Sequence, residues 1–411
     1  MMTKTFGLML ASALFAAPLY AQDGYYEEEP AAVQKEVQRE ASQPADVQQA
    51  ATAAATEASA PAASNEGPKF TVAGEVEFEA NTDYKKVDPR DETNNNAEEN
   101  KWFHDYASTF NLVFGVQFTD KWSAEAAISA DGDGTAPHFA YDGAFIQYQL
   151  SEGVAIKAGD FTYAEGAFRY YDYDDPGDYA IGMVERNTRG LELNAYGLVL
   201  GLGWGRDDDD CSDSDVGCTT YDFHAAYELA LGNHTIRPFF NYKSYQTESH
   251  NSLRFGVTAN LALGSIGTLQ LVYGLKSDAL TEDTPKMTHA LAAEPEFNFG
   301  KVSLKATVFK AFLDDDDPTD LEVPEHFFVY AEPVFGLTEN LSLGAQVELH
   351  SMTLDTDADL SQLWLAPKAY YTVSDNFGFD GYFRVCVPMG DDYGESDEMY
   401  LVAGASVALS F

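Results

Sequence analysis

Basic residues, cysteines and long apolar runs are all scarce in this sequence. It contains 24 Lys and Arg against 67 Asp and Glu, which gives a formal net charge of -43. Such an acidic balance argues against nucleic acid as a partner and against a basic site for anionic lipid headgroups. Beyond the first residues, no stretch approaches the ~18–20 consecutive apolar residues of a transmembrane helix. The sequence therefore predicts no membrane-spanning helix.

Catalytic and metal-binding signatures are missing as well. The eight His are scattered without the spacing of metal ligands, and no G-x-S-x-G nucleophile motif is present. We therefore expect no enzymatic activity, no cofactor and no metal site. The acidic tracts at 207–210 and 314–317 could bind divalent cations, but solvated loop charge is the simpler interpretation.

The chain has three cysteines. Cys211 and Cys218 lie in the turn-rich segment "DDDDCSDSDVGC". In an oxidising compartment this spacing predicts a local disulfide between them. Two free thiols or a metal-binding pair are the alternatives, and Cys386 stands alone.

The first 21 residues have the features of a secretory signal peptide. Lys4 precedes an apolar run from Phe6 to Ala17 that is too short to span a membrane. We expect cleavage after Ala21, and the absence of a Cys at that point argues against a lipoprotein. The mature chain is therefore predicted to be exported.

Residues 22–68 differ in composition from the rest of the chain. They are rich in Ala, Gln, Glu and Pro and contain no aromatic residue after Tyr26. Val33 and Val37 have the i, i+4 spacing of a short helix, but no heptad pattern continues past Ala41. The segment is interpreted as a flexible periplasmic linker, with a short helix as the alternative.

From residue 69 onward, apolar residues recur with a period of two. In "LSLGAQVELH" (341–350), the odd-numbered residues are apolar and the even-numbered residues are small or polar. Amphipathic helices would repeat at 3.6 residues. Short connections such as 119–121 and 338–340 alternate with long acidic ones, which predicts a meander of about 18 antiparallel strands over 69–411.

An apolar face on every strand favours a closed transmembrane β-barrel over a large soluble β-sandwich or solenoid. In such a barrel the apolar face contacts lipid, the polar face lines the lumen, and every backbone donor is paired. Aromatic residues make up 13% of the chain. Five of them near strand ends are predicted to form interfacial girdles: Trp102, Phe103, Trp122, Tyr370 and Tyr371.

The signal peptide, the alternating strands, the turns "TDK", "TEN" and "SDN", and the final "ALSF" resemble Gram-negative outer-membrane porins. The resemblance covers residues 69–411 and implies a water-filled barrel in the outer membrane. It further implies passive diffusion of small hydrophilic solutes, a homotrimer, and recognition of Phe411 by the barrel assembly machinery. A surface-exposed structural or adhesive barrel that tethers the outer membrane to the cell wall or to a substrate is the alternative.

In porins, the third long loop usually folds into the barrel and narrows it. Here that loop is 164–188, which is the longest and is rich in Tyr. An ordinary surface loop is the alternative. If the loop folds inward, the residues expected at the constriction are Arg169, Asp172, Asp174, Asp175 and Asp178.

The period of two also predicts which charged side chains line the lumen. The basic ones are Lys157, Arg237, Lys243, Arg254, Lys305, Lys368 and Arg384. The acidic ones are Glu125, Glu192, Asp222, Glu228, Glu294, Glu296, Glu348 and Asp380. The basic side chains either face acidic loop residues across the pore or neutralise the acidic side chains of the wall. Because the inward acids outnumber the inward bases, we predict a weak preference for cations.

Overall fold

The computed structural model describes residues 67–86, 100–132, 138–166, 168–170, 184–206, 219–245, 251–277, 287–313, 325–353, 359–389 and 399–411. The predicted signal peptide and residues 22–66 of the predicted linker lie outside these ranges. So do Cys211, Cys218, Asp172, Asp174, Asp175 and Asp178. None of the described residues forms a helix with the length and hydropathy needed to span a bilayer.

The described residues form β-strands and one 3₁₀ turn at Gly264–Ile266. The strands are β1 (Lys69–Lys86), β2 (Asn100–Gln117), β3 (Trp122–Gly132), β4 (His138–Ser151), β5 (Val154–Glu165), β6 (Val184–Ala195), β7 (Leu198–Arg206), β8 (Thr219–Tyr227), β9 (Leu229–Leu231), β10 (His234–Tyr245), β11 (Ser252–Ala262), β12 (Gly267–Ser277), β13 (Thr288–Phe299), β14 (Val302–Leu313), β15 (Glu325–Gly336), β16 (Leu341–Thr353), β17 (Asp359–Ser374), β18 (Phe377–Pro388) and β19 (Tyr400–Ser410).

Each strand pairs antiparallel with the next one in sequence. The exception is β8 and β9, which are two segments of one strand interrupted at Glu228, and both pair with β10. The last strand, β19, pairs with β1, so the sheet closes on itself. The predicted closed antiparallel barrel of 18 strands is confirmed.

Two of the short turns share one local structure. The Thr119 hydroxyl accepts hydrogen bonds from the backbone N–H groups of Lys121 (3.2 Å) and Trp122 (3.1 Å). The Thr338 hydroxyl does the same for Asn340 (3.2 Å) and Leu341 (2.9 Å). A hydroxyl at the first position of "TDK" and "TEN" therefore satisfies the backbone donors that a tight turn leaves unpaired.

The two faces of the barrel have opposite chemistry. Large apolar side chains such as Phe255, Leu343 and Phe383 are exposed on the outside. Polar side chains such as Glu294 and Glu348 are fully buried on the inside. A soluble protein has the opposite arrangement, with apolar side chains inside and polar ones outside. The arrangement seen here suits a barrel that is surrounded by lipid and has water or polar groups in its lumen.

Three of the predicted girdle residues face outward, as a girdle requires, and one prediction is wrong. Trp102, Trp122 and Tyr371 are all exposed on the outer face. Tyr370 instead lies on the inner face, where its hydroxyl donates to Glu332 Oε1 at 2.6 Å. Consecutive residues of a strand point to opposite sides, so Tyr370 and Tyr371 could not both face lipid. The side chain of Phe103 lies outside the described part.

The pairing of β1 with β19 closes the barrel, and we refer to it as the seam. It extends one residue beyond β19, to Phe411. Gly74 N donates to Phe411 O at 2.9 Å, and Phe411 N donates to Gly74 O at 3.0 Å. On the other side, Ser410 N donates to Asn376 O in the turn between β17 and β18, also at 2.9 Å. The Phe411 ring is half exposed. Phe411 therefore belongs to the barrel wall through its backbone and contributes an aromatic ring to the outside.

Candidate functional site

The chain leaves the barrel wall directly after β5 and contacts a distant part of the inner wall. Both carboxylate oxygens of Glu294 on β13 accept hydrogen bonds from Arg169 N, each at 3.0 Å. The Arg169 guanidinium donates to Gln270 Oε1 (2.8 Å) and Thr268 Oγ1 (3.3 Å) on β12, and also to Asn260 on β11. Since strands β6 to β10 lie between β5 and these acceptors, the chain reaches them across the lumen.

Glu294 is the centre of this contact and is fully buried. Besides Arg169 N, it accepts hydrogen bonds from Thr307 Oγ1 at 2.8 Å and from Gln270 Nε2 at 3.0 Å. Donors from β12, β14 and the segment after β5 therefore converge on one carboxylate. A buried donor that loses its acceptor costs free energy, so this arrangement holds the segment in place.

Two aromatic residues next to Arg169 cover an apolar patch on the inner wall. Phe168 meets the ring of Phe309 edge-on, with centroids 5.4 Å apart, and the Tyr170 hydroxyl donates to Glu296 Oε2 at 2.9 Å. Burial and the Glu296 carboxylate raise the pKa of Tyr170, so it stays a hydrogen-bond donor at neutral pH. The patch consists of Val272, Ala290, Ala292, Phe309, Ala311, Phe328 and Tyr330.

A polar network fixes the point where the chain leaves the wall. Arg237 Nε on β10 donates to both carboxylate oxygens of Glu165, at 2.8 and 2.7 Å. The ring of Tyr163 stacks on His224 with centroids 3.9 Å apart, and its hydroxyl donates to a backbone carbonyl of β8. His224 Nε2 lies 3.1 Å from Glu192 Oε2. The end of β5 is therefore tied to β6, β8 and β10.

A second network lies on the inner faces of β15, β17 and β18. The Glu332 carboxylate accepts hydrogen bonds from the hydroxyls of Tyr330 (2.7 Å) and Tyr370 (2.6 Å), and Lys368 Nζ lies 3.6 Å from it. On β18, the Arg384 guanidinium lies 4.7 Å from the centroid of the Trp364 ring. Acidic and basic side chains on this part of the wall lie next to each other. Its net charge is therefore small, although it contains several ionisable residues.

All seven basic residues predicted on the lumen face are at inward positions, on six different strands. Lys157 Nζ lies 3.5 Å from Glu192, and Arg237 is paired with Glu165. By register, Lys243 lies opposite Asp222, and Lys305 lies opposite both Glu296 and Glu332. Arg254 differs, because it lies opposite another base, Lys276. The bases therefore alternate with acids and do not form one wall.

Three inward carboxylates with prominent contacts were missed by the sequence reasoning. They are Glu79, which accepts a hydrogen bond from the Tyr382 hydroxyl at 3.1 Å, Glu165 and Glu332. The alternation in "GEVEFEA" (74–80) carried the signal for Glu79. Cys386 is buried beside Trp364 and Val402. Within the described ranges, no three metal-ligating side chains cluster together.

These features define a large antiparallel barrel with an apolar outside and a polar inside, in which Phe168, Arg169 and Tyr170 contact the inner wall. The sequence matches no protein-family model, and no curated protein sequence is significantly similar to it. A BenF-like porin from Pseudomonas fluorescens Pf-5 superimposes with a TM-score of 0.52 at 11% identity, over 84% of this chain and 98% of the other. The anion-selective porin from Comamonas acidovorans gives 0.50 at 10% identity, over 84% and 100%.

A third solved structure is OmpT, an outer membrane protein of Vibrio cholerae, in a trimer form. Its TM-score is 0.50 at 8% identity, and the match covers 84% of this chain and 100% of the other. Such identities establish a common fold. The chain therefore has the barrel fold of outer-membrane porins, as the resemblance in the sequence implied.

Proposed function

We propose that this protein is an outer-membrane porin through which small hydrophilic solutes and ions diffuse passively. The observation that carries the proposal is the combination of a closed barrel with an inner face of polar side chains. A barrel of this size is too wide for its own side chains to fill, so water occupies the remaining lumen. The apolar outer face requires lipid around it, and an exported barrel of this kind belongs in the outer membrane.

The third long connection is the proposed constriction; it is shorter than the predicted 164–188, because β5 continues to Glu165 and β6 begins at Val184. Phe168, Arg169 and Tyr170 contact β11 to β14 from inside the barrel, which supports an inward course for the rest of the connection between β5 and β6. Asp172, Asp174, Asp175 and Asp178 then follow close to the narrowest part of the pore. In a narrow, low-dielectric channel each charge acts strongly on a passing ion, so we propose a cation preference.

The porin fold also supports proposals about the export, oligomeric state and membrane orientation of the chain. We propose a homotrimer, supported by the trimer form of the Vibrio cholerae structure with this fold. We further propose that residues 1–21 are a cleaved signal peptide, that residues 22–68 lie in the periplasm, and that the barrel assembly machinery recognises Phe411. The short turns and residue 69 lie at the same end of the barrel, which is then the periplasmic end.

Replacing Asp172, Asp174, Asp175 and Asp178 together with Asn should lower the permeability of cations relative to anions. Reversal potentials in planar bilayers under a salt gradient measure this ratio. The difference from wild type should shrink as salt rises, because the Debye length falls from about 10 Å at 0.1 M to about 3 Å at 1 M.

A matched control for this experiment is the replacement of the acidic tract Asp314–Asp317, on another long connection, by Asn. The same number of charges is removed, and selectivity should stay close to wild type. Equal shifts in both variants, or unchanged selectivity of the first at low salt, would show that 164–188 is not the constriction.

Conductance separates the channel from the alternative of a structural or adhesive barrel. Purified protein reconstituted into planar bilayers should give stepwise currents, and proteoliposomes should swell in small sugars. A correctly inserted barrel without either signal would contradict the proposed function. Swelling rates across sugars, amino acids and dicarboxylates would then rank the solutes.

A further inference from the structure

A charged cluster lies on the outer face of the barrel, on strands β4, β5 and β6. Asp160 and Arg189 are directly opposite each other in register. Arg189 Nε donates to Asp160 Oδ1 at 2.7 Å, and the Tyr141 hydroxyl donates to Asp160 Oδ2 at 3.1 Å. We refer to Tyr141, Asp160 and Arg189 as the outer triad.

The alternation of burial places the triad on the outside. Phe161 and Thr188, the sequence neighbours of Asp160 and Arg189, are almost completely buried on the inside. The Arg189 side chain is 69% exposed, and Leu191, the next outward residue of β6, is also exposed. Asp160 and Arg189 are both in the middle of strands of 12 residues. The cluster is therefore about halfway between the two ends of the barrel.

Lipid is an unfavourable neighbour for the triad at this height. An Arg on the lipid face is most destabilising at the bilayer midplane and is tolerated much better near the interfaces. The guanidinium also carries five N–H donors in a fixed fork, of which the bond from Nε uses one. Hydrocarbon offers no acceptor to the others. A protein surface can supply such acceptors.

The surroundings of the triad are shaped for close contact. On the side of the triad formed by β3 to β5, several outward residues are small, which lets another surface approach closely. They are Ala124 and Ala126 on β3, Ala144 on β4, and Ala158 and Ala164 on β5, whereas Ile146 on β4 and Leu191 on β6 are large and exposed. Outward positions farther around the barrel, such as Phe255 and Leu271, carry large side chains that suit lipid.

A local irregularity of the sheet lies directly beneath the triad. Pairing of β3 with β4 shifts register between Ala127 and Ile128. Gly143 and Gly159 have φ of 127° and 139°, and a Cβ on Gly143 would lie 2.7 Å from the carbonyl oxygen of Asp160. Other residues would be strained at both positions. The irregularity places Tyr141 where its hydroxyl reaches Asp160.

We propose that the outer triad and the alanines around it form the contact between copies of this chain in the membrane. This inference rests on the proposed outer-membrane barrel and assigns the surface of its oligomer. A second copy is the partner that the charges fit, because a surface with one acid beside one base is complementary to itself. Around a symmetry axis, Arg189 of one copy meets Asp160 of the next.

Cross-linking in intact outer membranes tests this surface. In a background where Cys211, Cys218 and Cys386 are Ser, Ala158→Cys places a thiol beside Asp160 on the outer face. Ala331→Cys is the matched control, an outward alanine on β15, on the far side of the barrel. With a bis-maleimide reagent, the first variant should give cross-linked oligomers of this chain and the second should give none. Equal products, or a product with another protein, would overturn the proposal.

Charge variants give a second, independent readout. Arg189→Glu places two acids side by side and should convert the oligomer to monomer in native mass spectrometry from detergent. The exchange Asp160→Arg with Arg189→Asp should restore the oligomer, because the surface is again self-complementary. An Arg189→Glu barrel that stays oligomeric would contradict the inference.

Failure of this inference is distinguishable from failure of the proposed function. Outer-membrane fractionation and single-channel currents of the wild type report on the porin itself. If the wild-type barrel inserts and conducts but Ala158→Cys does not cross-link, only the assigned contact surface is wrong.

Discussion

Replacing Glu294 with Gln should raise the single-channel conductance and add open–closed fluctuations. The carboxylate accepts hydrogen bonds from Arg169 N, Gln270 and Thr307, and the amide of Gln would turn an N–H group towards these donors. A buried donor or acceptor left without a partner costs about 1–3 kcal/mol. That corresponds to a factor of roughly 5–150 in the equilibrium between the anchored and released segment. Planar-bilayer recordings at fixed salt measure the change.

Glu332→Gln is the matched control for this prediction. Glu332 is also buried on the inner face, where it accepts hydrogen bonds from Tyr330 on β15 and Tyr370 on β17 and lies beside Lys368. These partners all belong to the barrel wall, so the conductance should stay at the wild-type value. If both variants changed the conductance equally, the effect would come from the loss of any buried carboxylate on the barrel wall. It would not be specific to the hydrogen bonds between Glu294 and Arg169.

Deleting Phe411 should reduce the folded barrel in the outer membrane to a small fraction of wild type. The deletion removes both backbone hydrogen bonds to Gly74 and the aromatic ring on the outer face. Immunoblots of outer-membrane fractions run with and without heating measure the folded fraction, since folded barrels migrate differently from heated ones.

Two substitutions separate the contributions of Phe411. Phe411→Ala keeps the backbone hydrogen bonds and removes the ring, so its yield reports recognition of the aromatic side chain. Phe379→Ala removes another exposed aromatic ring, on β18, and should leave the yield close to wild type. A normal yield of the deletion variant would show that the seam closes without this residue.

The barrel itself was readable from the sequence because its signal is repeated on every strand. A period of two fixes which residues share a face, so the inward positions of Lys157, Lys368 and Arg384 followed without a structure. The prediction for Tyr370 is wrong because consecutive strand residues point to opposite faces, so only one of two adjacent tyrosines can contact lipid. The break at Glu228 within one strand was not predicted, since the apolar alternation runs through it.

The anchoring of the third long connection could not be read from the sequence. Arg169 and Glu294 are 125 residues apart, and no local pattern relates them. Length and aromatic content indicated an inward loop, but the acceptor depends on which strands face β5 across the lumen. That relation arises only from the closed sheet and its register. Glu294 was predicted to face inward, whereas its role as the acceptor for Arg169 needed three-dimensional information.

The pairing of β1 with β19 has a consequence for how the barrel forms. Glu75 pairs with Ser410, and Tyr84 pairs with Leu401, so these contacts join residues more than three hundred positions apart. Contacts of such high sequence separation form slowly. Until they form, β1 and β19 are two open edges that can pair with other chains. We therefore expect aggregation during refolding to begin at these two strands and to cease once the seam is made.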